Sequence, residues 1–167
     1  MKLKRVWLLS GLPGSGKSTW VRKQIAKKGG VWCSRDAVRF SMVREDEPYF
    51  ERETEVFNEW IRQICDALTN PMIEDIYIDA THLNDKSRDK TLNRLPKENI
   101  KEIFNVVFLV PLEVCLERNA QRTGREVVPE SVIRNMMKTF KWPRKNKILF
   151  IDSNGKEFYH GKNVFHQ

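Results

Sequence analysis

Residues 11–18 read Gly-Leu-Pro-Gly-Ser-Gly-Lys-Ser and satisfy every fixed position of the pattern G-x-x-x-x-G-K-[ST]. Glycines at this spacing let backbone N–H groups turn inward around phosphate oxygens, and a helix starting near the lysine adds its positive N-terminal end. The lysine reaches the β- and γ-phosphates of a nucleotide, and the serine hydroxyl after it ligates Mg²⁺. Gly11, Pro13, Gly14, Ser15, Gly16, Lys17, Ser18 and Thr19 are therefore the expected ATP-binding residues, with Mg²⁺ on Ser18. The competing explanation is a chance glycine-rich turn. A buried strand before the pattern and a helix after it supply the context that explanation lacks.

Phosphoryl transfer also needs a group to take the proton of the attacking hydroxyl. Asp36 is the sole acid among the first 44 residues, and Arg35 and Arg39 flank it. Nearby guanidinium groups keep a carboxylate ionised, and Arg39, one helical turn on, can face the same cleft. Aspartate also favours the N-cap of a helix, and the two roles can coexist. Asp79 ends an apolar run, where it can hold the Mg²⁺ shell through water. Thr81 and His82 follow with donors suited to an acceptor's hydroxyl or phosphate; His82 reads equally well as a structural histidine. His160 and His166 have no such context. Arg118, Arg122 and Arg125 cluster around Thr123-Gly124, as arginines of a lid that closes over ATP, although a solvated helix face accounts for the same spacing.

These groups need elements to carry them. Short apolar runs at 5–10, 31–33, 76–79, 103–110 and 147–152 read as strands. Residues 17–28, 35–43, 48–68, 86–95 and 112–121 read as helices, as does a stripe of Val132, Ile133, Met136, Met137 and Phe140, taken as core. A turn at 153–155 leads to Phe158-Tyr159. Strands alternating with helices predict an α/β fold: three layers, a parallel sheet of about five strands, and a helical lid over about 112–130. The site residues fall at the carboxyl ends of the strands, where such folds bind ligands.

Composition narrows the class. The chain has 167 residues, 40% hydrophobic and 31% charged, which suits one domain (1–167) with a short C-terminal extension over about 141–167. No apolar run approaches a membrane span, and a cytoplasmic location without membrane association is expected. Cys33, Cys65 and Cys115 lie far apart, without zinc or disulfide spacing, and read as small core residues. The net charge of +8 is unevenly spread. Residues 1–44 carry eleven Lys and Arg against Asp36 alone, residues 45–79 are acidic, and the remainder is basic. An anionic partner follows from the basic blocks; the acidic helix reads as a solvated face, or as a guard against anionic substrate on the wrong surface.

Together these residues resemble the phage-type polynucleotide 5′-hydroxyl kinases. The resemblance rests on G-L-P-G-S-G-K-S-T-W at 11–20, S-R-D-A-V-R at 34–39, I-D-A-T-H-L-N at 78–84, E-R-N-A-Q-R at 117–122 and V-V-P-E-S-V-I-R-N-M at 127–136. It implies ATP-dependent transfer of the γ-phosphate to the 5′-hydroxyl of DNA or RNA, a nucleic-acid end as partner, and a P-loop kinase fold. By position, Asp36 is then the general base, Arg39 the acceptor-site arginine, Thr81 and His82 the acceptor pair, and Arg122 the arginine on the γ-phosphate. His82 stands where the family more often has Asn, and an extra residue follows Arg122. The D-x-D-G-T signature of the companion 3′-phosphatase is absent from the sequence, so kinase without phosphatase is expected. Two other readings share the cradle: a small-molecule P-loop kinase for a nucleoside, sugar, nucleotide sugar or antibiotic, and a non-catalytic ATP-dependent binding module.

Overall fold

The computed structural model describes residues 2–159. His160, His166 and the end of the expected C-terminal extension lie outside them. Strand β1 (Lys4–Ser10) leads through the glycine-rich loop into α1 (Lys17–Lys28), then β2 (Val31–Ser34) and α2 (Arg35–Met42). Helix α3 (Glu53–Thr69), β3 (Asp75–Asp79), α4 (Asp85–Leu92) and β4 (Ile100–Leu109) follow. Helices α5 (Leu112–Ala120) and α6 (Glu130–Thr139) bracket the lid segment, and β5 (Lys147–Asp152) and β6 (Glu157–Tyr159) complete the sheet.

The sheet order is β2-β3-β1-β4-β5-β6. The first five strands pair in parallel, as expected, and β6 adds an antiparallel sixth to β5. Both faces of β1 are buried, which explains its unbroken apolar run. Val6 and Leu8 face a core built with Ile76, Ile78 and the apolar side of α3. Trp7 and Leu9 face the other, with Trp20 and Val21 of α1, Phe104 and Leu149. The Trp7 and Phe104 rings stack there with centroids 4.2 Å apart. Parallel pairing aligns Leu8 with Ile78, so β1 and β3 end together. The chain leaves β1 and β3 toward opposite edges of the sheet, and the crevice between such departures is the ligand site of open α/β sheets.

Two expected elements differ. The helix predicted over 48–68 begins only at Glu53. Residues 48–51 instead form a turn closed by the Glu51 N–H on the Pro48 carbonyl at 3.0 Å. The stripe on α6 is only partly core: Ile133 is buried, Val132 and Met136 line a cleft, and Met137 is exposed. Cys33 and Cys115 are buried, while Cys65 is half-buried.

Candidate active site

A cleft of about 1290 Å³ opens at the carboxyl ends of β1, β2 and β3. It exceeds the volume of roughly 300–1,000 Å³ typical of a single small ligand, so it has room for a nucleotide and an acceptor together. The glycine-rich loop forms its floor. Gly14 has φ +80°, and a Cβ there would lie 2.6 Å from the Cys115 carbonyl oxygen of α5. Gly16, the N-cap of α1, has φ +93°. Both are left-handed conformations that glycine alone adopts freely, which is the reason for glycine at these positions.

The ammonium of Lys17 donates to the carbonyls of Gly11 (3.0 Å) and Leu12 (2.9 Å). Desolvation pushes its pKa down, opposed by the charges of Asp79 and Asp36, with Arg122 close enough to add to the depression. Asp79 is buried at the end of β3 and accepts from the Trp32 indole N–H at 2.9 Å. Burial raises its pKa, and Lys17 opposes that shift. Among the described residues, the buried Ser15 hydroxyl has no hydrogen-bond partner. A phosphate oxygen in the loop would satisfy it, so the cradle fits the triphosphate it was expected to hold. Among the described residues no group of three or more His, Cys, Asp or Glu side chains could hold a metal unaided. Ser18 and Asp79 suit a hard cation that arrives with the phosphates and keeps part of its water.

Asp36 on α2 lines the same cleft. The helix is capped by Ser34, whose side chain accepts from the Ala37 N–H at 3.2 Å, so Asp36 is not the N-cap. Its side chain is 61% exposed to the cleft. Asp36 Oδ1 accepts from Arg39 and, at 2.7 Å, from the Tyr49 hydroxyl. Among the described residues no donor reaches Oδ2. Arg39 is buried and forms a two-pronged pair with Glu53 at 2.7 and 2.9 Å. Desolvation works against the Arg39 charge, but Glu53, Tyr49 and Asp36 together outweigh it and leave its pKa raised. Arg35 pairs with Glu53 rather than with Asp36.

Thr81 lines the cleft beside Asp79, and its carbonyl accepts from the Gly11 N–H at 3.0 Å. His82 does not join it. The ring is buried, with Nδ1 2.7 Å from the Leu9 carbonyl and Nε2 3.0 Å from the Thr91 hydroxyl. Desolvation pushes its pKa down to about 3. His82 thus ties β1 to α4 in place of the acceptor contact expected of it; its left-handed φ of 41° turns the side chain inward.

Among the lid arginines, Arg118 donates to the carbonyls of Gly14 (3.3 Å) and Ser153 (2.9 Å), joining the loop to the turn after β5. Arg122 lines the cleft, with a bond to the Glu126 carbonyl at 3.4 Å. Arg125 also lines the cleft and is anchored on its far side. Its guanidinium bonds the carbonyls of Phe40 (3.4 Å) and Val43 (2.6 Å) at the end of α2, and stacks 4.8 Å over the Phe40 ring. The orphan carbonyls of a helix C-terminus attract a cation, which explains the choice. The base of the lid is fixed by Asn119, whose amide exchanges two hydrogen bonds with Val128.

Sequence reasoning did not find Tyr49, Phe50 and Glu53 on the acceptor side, or Ser153, Asn154 and Gly155 on the nucleotide side, all of which line the cleft. A usable signal was present for Glu53. The adjoining block is acidic, and an arginine that the fold buries, as it does Arg39, needs an anion beside it.

Comparison with known proteins gives the family. A model described as an AAA domain matches residues 6–143. The L-seryl-tRNA(Sec) kinase of Methanococcus maripaludis is 29% identical over 140 residues, covering 81% of this chain and 52% of that protein. The chain thus spans about half the length of that curated relative. A chain from the Pnkp1/Rnl/Hen1 RNA repair complex aligns with a TM-score of 0.68 and 25% identity, over 83% of this chain and 44% of its own. A gluconokinase from Sinorhizobium meliloti 1021 aligns at 0.60 with 19% identity, over 92% and 85% of the two chains. No helix among the described residues is long and apolar enough to cross a membrane. By its sequence match and its sheet, the chain belongs to the AAA domain family and has the P-loop kinase fold.

Proposed function

We propose that the protein is an ATP-dependent phosphotransferase acting on a hydroxyl group. The observation that carries this is a carboxylate with one held oxygen and one open oxygen in the same cleft as the phosphate cradle. Asp36 Oδ2 accepts the proton as the acceptor oxygen bonds the γ-phosphorus. The bond from that phosphorus to the β–γ bridging oxygen breaks, and ADP leaves. Lys17 and Arg122 offset charge on the transferring group, and the cradle keeps it in line. Mg²⁺ carried on Ser18 and Asp79 would neutralise phosphate charge when bound.

The acceptor in this proposal is the 5′-hydroxyl end of a nucleic acid. Aromatic and cationic groups beside Asp36 support it, as do the basic blocks of the sequence. The second reading is a small hydroxyl compound, and the relatives favour it more than the first. Their names include a gluconokinase and a sugar kinase, and the L-seryl-tRNA(Sec) kinase is named for a seryl group rather than a 5′ end, beside two structures of the Pnkp1/Rnl/Hen1 complex. Asp36, Arg39 and Thr81 suit any hydroxyl. The test is transfer of label from γ-labelled ATP to 5′-hydroxyl oligonucleotides and to a panel of polyols and nucleosides. Asp36→Ala should lower kcat by roughly 10²-fold or more on the true acceptor. Labelling of polyols but not of oligonucleotides would overturn the first acceptor and leave the kinase reading standing. Near-normal rates for Asp36→Ala would remove it as the base.

A further inference from the structure

We propose that Phe50, braced by Tyr49 and backed by the buried Arg39, is a stacking surface for the terminal nucleobase of the acceptor. The inference rests on the kinase reading for the location of the reacting hydroxyl, and it names what the acceptor must carry. Phe50 is 62% exposed and lines the reaction cleft. An aromatic ring left in water at a cleft wall invites a flat apolar partner.

The ring is held in place. Tyr49 and Phe50 are the central residues of the turn closed by Glu51 on Pro48. Tyr49 meets Phe50 edge-on, at 82° with centroids 4.7 Å apart, and meets Phe40 of α2 at 70° and 6.3 Å. The Arg39 guanidinium lies 4.4 Å from the Tyr49 ring centroid and 5.7 Å from that of Phe50. The Tyr49 hydroxyl is fixed on Asp36 Oδ1. A ring on Phe50 is therefore in fixed register with the proposed base. Exposed aromatic faces are what unpaired bases stack on, without a preference for sequence. A polyol has no flat face to offer this wall.

The experiment uses a single-stranded oligonucleotide with a 5′-hydroxyl and 2-aminopurine as its first base, whose fluorescence is quenched on stacking. Wild type should quench it without ATP. Phe50→Ala should abolish the quenching and weaken binding by roughly ten-fold, the effect of one lost base–aromatic stack. Phe50→Trp should restore both. An otherwise identical oligonucleotide with an abasic first position should bind wild type and Phe50→Ala equally. Equal quenching by wild type and Phe50→Ala, or no binding of the probe by wild type, would overturn the proposal even if ATP-dependent labelling of a polyol persisted. Retained Phe50-dependent quenching with no transfer to any hydroxyl would instead support the stacking surface and overturn the kinase reading. Because Phe50 is exposed, Phe50→Ala should keep the wild-type thermal midpoint, which separates lost stacking from lost folding.

Discussion

Asp36 and His82 show how far a single residue's identity predicts its work. Both are titratable, both follow a strand, and only Asp36 faces the cleft. The burial of His82 has a measurable result. Its imidazole, held near 3 in the fold, returns to its ordinary value of about 6.5 on unfolding, so the unfolded chain binds the additional proton between these values. Stability is full above about 6.5 and declines as the pH falls toward 3. Replacement His82→Asn should flatten this acid slope in urea titrations while lowering stability at pH 8, since the Leu9 and Thr91 bonds are not both replaced. On the other side of the cleft, Tyr49→Phe removes a hydrogen bond to Asp36 without removing the ring. Loss of one such bond, worth about 1.5–3 kcal/mol when made to a charged group, predicts a fall in kcat of roughly 10-fold or more with little change in the KM for ATP. Steady-state kinetics of this variant check it.

At the level of elements, the loop and the lid are constrained by contacts that reach across the sheet. Gly14→Ala would drive a Cβ into the Cys115 carbonyl and force φ +80° on an alanine. We expect loss of nucleotide binding by calorimetry and a lower melting temperature, with a backbone penalty of about 1–3 kcal/mol. Arg125→Ala should free the lid from α2 while Asn119 still holds its base. Hydrogen exchange should then quicken across 121–127, and the KM values of both substrates should rise, because one lid touches both halves of the site. The P-loop and α1 were legible in the sequence because glycine spacing and helix stops are local signals. The turn at 48–51 was not. Pro48-Tyr49-Phe50 adjoins a helical periodicity, but in the fold it makes a separate turn whose Tyr49 bonds Asp36, a tertiary contact that local pattern does not carry. For the same reason the acidic block read as solvated while Glu53 was inside it, paired with Arg39.

Across the whole molecule, charge is sorted by the fold rather than by the chain. Several acids of the 45–79 block are consumed internally, Glu53 on Arg35 and Arg39, and Asp75 on Arg5. Asp46, Glu47, Glu51 and Glu55 instead gather on the outer side of the 48–51 turn, with Arg52 among them. Like-charge repulsion at these carboxylates would steer a polyanionic acceptor, if that is the substrate, away from them. If the acceptor is a nucleic acid, its KM should rise steeply between about 50 and about 200 mM salt, whereas the KM of a small neutral acceptor should barely move. The α/β class and the parallel core were legible from strand and helix alternation. The turn at 153–155 was legible as well, but the strand β6 after it was not, since three residues carry too little periodicity to declare a strand.

The bond from the Trp32 indole to Asp79 gives the protein an optical reporter of its own. Trp32 lines the cleft, and its N–H rests on the carboxylate that a cation–nucleotide complex would engage. Any change in the charge or position of Asp79 alters the electric field on that indole. Occupancy of the donor site is therefore written into the tryptophan emission, and Trp32→Phe would silence that signal while Trp7, Trp20, Trp60 and Trp142 remained as background.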